Sequence, residues 1–168
     1  MEVRQLNQSN VEEYLKLRLD SLKYNPESFS SSYEEEVNNS VDVYKERLKG
    51  NSPSITLGAF KESKLVGIVT LVKENKLKLN HRINLVSMYV VPEQRELGVG
   101  KALVSEAIKI SQNIESIEQI YLSVAYNNQS AKGLYKLAGF ENYGIEKRAL
   151  KYEDDYFDIE HMVLFFKN

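Results

Sequence analysis

The chain has no cysteine, which removes disulfides, thiolate metal sites and a cysteine nucleophile from the functions open to it. Its two histidines, His81 and His161, are too far apart to form a ligand-spaced pair, so no metal is expected. No apolar run reaches about 18 residues, and the opening MEVRQLNQSN has no long apolar core. Neither a membrane span nor a leader is expected, and a cytoplasmic location is. A basic excess is missing too: 22 Lys and Arg against 24 Asp and Glu give a formal net charge of −2. Nucleic-acid binders usually show a basic face, so no nucleic-acid partner is expected. Repeats, linkers and low-complexity segments are also absent.

What remains reads as one globular domain over residues 1–168, with 42% hydrophobic and 27% charged residues. A chain of this length buries about 70% of its unfolded surface. Glu2 to Leu6 alternates as a first strand. Ser9 to Glu12 has capping-box spacing, and Val11, Leu15, Leu19 and Leu22 follow on one helical face until Asn25-Pro26. A second helical region starts near Ser31 or Ser32, with Val37, Val41, Tyr44 and Leu48 on one face and Gly50 as its cap. Asn38-Asn39-Ser40 can split it in two.

From Ser54 the period changes to two, with a turn at Glu62-Ser63. The run within Lys64 to Lys73 is nearly all apolar, as in a strand covered on both faces. Ile83 to Val91 is the next strand, followed by a helix from Val99 to about Ile114 and a strand from Gln119 to Tyr126. Asn128 to Ala138 forms a short helix with Gly139 as its left-handed cap. Two strands, Tyr143 to Tyr152 and Tyr156 to Phe166, close the chain. The order β, α, α, β, β, β, α, β, α, β, β predicts a mixed α/β (α+β) sheet with helices on both faces.

One stretch carries chemistry. The strand ending Val90-Val91-Pro92 passes through Arg95-Glu96-Leu97 and enters a helix across Gly98 and Gly100. A helix N-terminus presents free N–H groups and a positive dipole end, and the glycines let an anion approach the backbone. Arg95 could add a bidentate cation. An ordinary strand-to-helix turn uses the same residues, and the glycines alone do not choose between the readings. Leu103 stands where a dinucleotide fingerprint needs glycine, and Ala102 where a P-loop needs Ser or Thr.

This stretch resembles the R/Q-x-x-G-x-G/A loop of the GNAT family of N-acetyltransferases, which follows a strand ending V-x-P. Asn128 to Phe140 is similar to the family's N-x-x-A-x-x-L-Y-x-x-x-G-F, and Tyr156, Asp158, Glu160 and Met162 loosely match its Y-x-D-E-x-x-M ending. The resemblance covers the whole chain. It implies a mostly antiparallel twisted sheet of six to seven strands with a splayed central parallel pair. It also implies acetyl-CoA as cosubstrate, its pyrophosphate on the backbone of Arg95, Glu96, Leu97, Gly98, Val99, Gly100 and Lys101. Met88, Tyr89 and Val90 would line the thioester end, with the Val90 N–H on the acetyl carbonyl, and Asn128 would touch the pantetheine arm. Tyr135 would be the acid that protonates the leaving thiolate. Glu96 departs from the family, where many members have glycine, and its carboxylate must point away from phosphates.

The expected activity is transfer of acetyl to a primary amine by direct attack, and the alternative is a non-catalytic acetyl-CoA sensor. The base is left open: Ser87 and Leu122 stand where some members carry glutamate. Glu34, Glu35 and Glu36 are candidates for recognising a cationic acceptor or for simply starting a helix, and Tyr33 and Tyr152 are acceptor-side candidates. His81 and His161 read as surface or strand-packing residues. The aromatic Phe157-to-Phe166 strand could pair across a homodimer.

Overall fold

The computed structural model describes residues 1–166. Seven strands make one sheet: β1 (Glu2–Gln5), β2 (Ser54–Lys61), β3 (Lys64–Lys73), β4 (Arg82–Val90), β5 (Gln119–Ala125), β6 (Glu141–Tyr152) and β7 (Asp155–Phe165). Their spatial order is β1-β2-β3-β4-β5-β7-β6. The β4–β5 pair is parallel and the other neighbours are antiparallel. A parallel pair needs a crossover, which the helix α4 (Val99–Gln112) supplies. The remaining helices are α1 (Val11–Tyr24), α2 (Tyr33–Glu36), α3 (Val41–Arg47) and α5 (Gln129–Leu137).

Two cores lie on the two faces of the sheet. On one, Val99, Leu103, Val104 and Ala107 of α4 and Tyr135 of α5 pack on Leu57, Val69, Ile83 and Ile120. On the other, Tyr14 and Leu17 of α1 and Tyr44 of α3 meet Phe60, Leu65, Ile68 and Tyr89. β3 serves both cores, which is why it is apolar almost throughout. Leu103 is wholly buried, so its truncation to alanine would cost about 2–5 kcal/mol.

Several local expectations shift. The cap before α1 is a reciprocal pair of asparagines, not Ser9 with Glu12. Asn7 Oδ1 accepts from the Ser9 N–H (2.9 Å), and Asn10 Oδ1 accepts from the Asn7 N–H (3.1 Å). This places one 3-10 turn, Gln8–Asn10, ahead of the helix. The inward face of α1 is Val11, Tyr14, Leu17, Arg18, Ser21 and Leu22, with Leu15 and Leu19 only half-buried. Counting apolar residues alone missed Arg18 and Ser21, polar residues satisfied inside the protein. The second helical region does split at Asn38-Asn39-Ser40, and Tyr44 and Leu48 are buried. Val37 and Val41 flank the break and are exposed, because the turn takes them off the shared face. Gly50 is not left-handed, whereas Gly139 is, with φ +99° after α5.

Candidate active site

The sheet opens in its middle. β4 pairs with β5 only over Arg82 to Leu85 against Gln119 to Leu122, and the strands separate beyond. On the other edge of β4 the register against β3 jumps from Thr70↔Val86 to Ile68↔Tyr89. Ser87 and Met88 therefore oppose Val69 alone, a bulge with Ser87 in the left-handed region at φ 54°. Successive residues of a strand turn their backbone groups to opposite edges. The Val91 N–H donates to the Val66 carbonyl on β3 (3.0 Å), so the backbone groups of Val90 face the gap that β5 has left. The Val90 carbonyl there accepts from Arg95 Nε (3.0 Å).

The chain then turns through Pro92–Gln94, Glu96 at φ 62° and Gly98 at φ 84° into α4. Gly98 is required by its dihedral, since a Cβ there would meet nothing. At Gly100 the constraint is closeness, since a Cβ would stand 3.1 Å from the Leu134 side chain and 3.4 Å from that of Met88. The first helical bond here is Ala102 N–H to Gly98 O, which leaves the N–H groups of Val99, Gly100 and Lys101 ahead of it. The first turn of α4 holds no acidic residue. Such an end attracts an anion.

A cavity of about 570 Å³ runs along this edge. Met88, Tyr89 and Val90 line it from β4; Arg95, Glu96, Gly98, Gly100 and Lys101 from the turn and the start of α4; Asn128 from the cap of α5 and Tyr135 from α5 itself. Leu97 and Val99 do not line it: Leu97 is exposed and the Val99 side chain is in the core, so each can offer only its backbone. Asn128 has a structural task as well, since its Oδ1 caps α5 by accepting from the Ala131 N–H (3.1 Å). Tyr135 is 4% exposed and packs edge-on against Phe140. Burial holds its phenol well above the ordinary tyrosine range, so it stays protonated at neutral pH. Arg95 is pinned, donating from Nη2 to Asn25 Oδ1 (3.2 Å) and lying 5.6 Å from the Tyr89 ring.

A second cavity, about 510 Å³, opens on the opposite side of the bulge. Ser28 and Phe29 wall both cavities, and the bulge gives Ser87 to the second and Met88 to the first. The second is floored by Tyr121 and Ser123 of β5, with His161 of β7, Tyr143 and Glu146 of β6, and Arg18 of α1. None of these was singled out as an acceptor residue from sequence. They come from distant parts of the chain: the strand register brings those on β5, β6 and β7 together, and the packing of α1 adds Arg18.

Of the acidic triplet, Glu34 and Glu35 start a helix, one of the two readings the sequence allowed, and Glu36, its last residue, turns inward. Glu36 is buried against Arg18, with Nη2–Oε1 at 2.8 Å, and also contacts Arg47 and the Tyr44 hydroxyl. Burial alone would raise its carboxyl, but the hydrogen bond and charge of Arg18, with Arg47, bring it below the usual value. Glu35 closes a capping box with Ser32, and Glu34 is exposed. Tyr33 and Tyr152 line neither large cavity. Among the described residues, no cluster of His, Cys, Asp or Glu is arranged to hold a metal, and no helix is long and apolar enough to cross a membrane.

A family model for the acetyltransferase (GNAT) domain matches residues 3–162. The chain belongs to that family. Part of it is 34% identical to an N-alpha-acetyltransferase of Sulfurisphaera tokodaii, over 47% of this chain and 42% of that protein. It is also 26% identical to a spermidine N(1)-acetyltransferase of Vibrio cholerae, over 73% of this chain and 69% of that one. Its fold matches a GNAT-family acetyltransferase from Streptococcus pneumoniae with a TM-score of 0.88, at 24% identity and coverage of 98% and 99% of the two chains.

Proposed function

We propose that this chain transfers the acetyl group of acetyl-CoA to a primary amine by direct attack within a ternary complex. The observation that carries this reading is the meeting of two cavities at the β4 bulge. One holds a helix N-terminus, a free strand edge and a buried phenol; the other holds an imidazole and a hydroxyl.

The turn fits a pyrophosphate bound by backbone. Three N–H groups converge where Gly100 leaves room, and Arg95 and Lys101 supply positive charge at its rim. The Asn128 side chain keeps its amide N–H₂ for the pantetheine arm, because its oxygen is committed to the cap. Along β4 the Val90 N–H faces the gap, where it can meet the oxygen that becomes negative as the amine adds. A fixed donor of this kind is worth about 10²–10³ in rate. The thioester is already activated, so orientation supplies much of the remainder. A coenzyme-A thiolate, with a thiol pKa near ~8.5, leaves more readily when the Tyr135 hydroxyl gives it a proton.

The amine enters from the second cavity, whose charged lining sets one carboxylate, Glu146, against the guanidinium groups of Arg18 and Arg82. That wall suits an amine with a single positive charge, such as a peptide N-terminus, better than a polyamine. The test is release of free thiol from acetyl-CoA in the presence of peptides with free N-termini, lysine, small monoamines and spermidine. Thiol release that depends on a monoamine is expected. Binding of acetyl-CoA with no release for any amine would favour the sensor reading instead.

A further inference from the structure

We propose that His161 accepts the proton of the acceptor amine through the Ser123 hydroxyl, with Glu146 holding the imidazole. This rests on the acetyltransferase reading above and supplies the base that the sequence left open.

The constellation comes from three neighbouring strands. Ile120, Leu122 and Val124 of β5 point into the core under α4, so Tyr121 and Ser123 point to the opposite face, into the second cavity. Ser123 and His161 are direct partners across β5 and β7. Across β7 and β6, His161 is opposite Gly144, and Glu146 two residues on shares its face. The contacts are short: Ser123 Oγ to His161 Nδ1 is 2.9 Å, and His161 Nε2 to Glu146 Oε2 is 3.0 Å. Tyr143, the extra residue of a β6 bulge, stacks on the ring at 5.8 Å and fixes its plane.

A carboxylate can only accept, so the neutral ring carries its hydrogen on Nε2 and leaves Nδ1 bare. Nδ1 then accepts from the Ser123 hydroxyl. The serine oxygen keeps lone pairs for a donor in the cavity, and Ser123 is exposed there. Ser123 directly follows the last β4–β5 pair, Leu85↔Leu122, where the two strands begin to separate, and it shares its cavity with Val86 and Ser87 of β4.

An alkylammonium has a pKa of about 10 and cannot attack until it loses a proton. One N–H proton passes to Ser123 Oγ as the serine's own proton passes to Nδ1, giving a neutral amine and an imidazolium paired with Glu146. The amine nitrogen then forms the C–N bond and the C–S bond breaks. The sulfur takes the Tyr135 proton, and the second nitrogen proton restores the phenol. One proton is left on His161 and goes to solvent through the open cavity. Glu146 from β6 stabilises that charge; Arg82 from β4 and Arg18 from α1 also face the cavity and oppose it, and the phenols of Tyr121 and Tyr143 are the other titratable groups there.

The experiment is thiol release from acetyl-CoA against pH for the whole chain and for His161→Gln, Ser123→Ala and His81→Gln, with a free-N-terminus peptide and spermidine as amines. We expect His161→Gln to lower turnover at neutral pH by about 100-fold and to recover as pH approaches the amine's own pKa, with the acetyl-CoA thermal shift unchanged. Ser123→Ala, an exposed position that tests the relay should His161→Gln unfold, moves the same way, and His81→Gln matches the parent. A parent-like pH profile in His161→Gln or Ser123→Ala overturns the relay while leaving the acetyltransferase reading intact. No thiol release by the parent chain with any amine removes that reading and the relay with it. Independently, His81→Gln leaves one imidazole for ¹⁵N spectroscopy: a hydrogen on Nε2 supports the relay, and one on Nδ1 contradicts it.

Discussion

The two cavities that meet at the β4 bulge are made in different ways. The side we propose for the cosubstrate is mainly backbone: a strand edge freed by splaying, a left-handed glycine, and the first N–H groups of α4, all within the stretch from Met88 to Lys101. The side we propose for the acceptor is side chains from α1, the segment between α1 and α2, β4, β5, β6 and β7, held by contacts such as Arg18–Glu36 and Ser123–His161–Glu146. A site made of backbone survives side-chain change but fails when a glycine acquires a Cβ. A site made of side chains has the reverse weakness.

The largest effect belongs to the acceptor side. Glu36→Gln leaves Arg18 buried without its partner, and breaking such a pair costs about 3 kcal/mol or more, read as a lower urea midpoint. Arg18 Nη1 also reaches Ser87 Oγ at 3.4 Å, so the acceptor KM should rise while acetyl-CoA affinity holds. The acid limb of stability should flatten in the same variant. Glu36 is held below its ordinary value of 4.5, so its contribution is full above that pH and is lost as pH falls through the lower folded value. Unchanged stability and an unchanged acid limb would contradict the pairing.

Next in size is Tyr135→Phe, expected to lower turnover by about 100-fold, near ~2.7 kcal/mol of barrier, with the acetyl-CoA thermal shift kept. Unchanged turnover would remove the phenol from the chemistry. On the cosubstrate side, Gly98→Val or Gly100→Val should erase a shift that amounts to about 2.7 kcal/mol at 100 times the dissociation constant. Retention of that shift in both would mean that the backbone of this turn does not bind the cosubstrate. The smallest change is Glu96→Gln, which removes a carboxylate beside the helix N-terminus. It should tighten acetyl-CoA by about 0.5 kcal/mol in calorimetry at low salt.

This division also explains what could be read from the residues alone. The two-glycine turn, the strand before it and the Asn128-to-Gly139 helix are continuous in sequence, so spacing exposed them and the resemblance named them. The seven-stranded sheet with its parallel centre followed from element order and that resemblance. The second cavity was not legible, because Ser123, Glu146 and His161 are unremarkable until the register pairs Ser123 with His161. Glu36 misled for a related reason: a run of three glutamates at a helix start looks solvated, and only the packing of α1 on α2 shows the third facing inward to Arg18. Glu96 is an oddity in both readings, occupying a left-handed position that favours glycine.

The most direct test of the central claim is the initial rate of thiol release as the amine is varied at several fixed concentrations of acetyl-CoA. Direct attack in a ternary complex predicts double-reciprocal lines that intersect, with thiol release strictly dependent on the amine. Parallel lines, which report an acetylated enzyme between two half-reactions, or release indifferent to every amine, would contradict it.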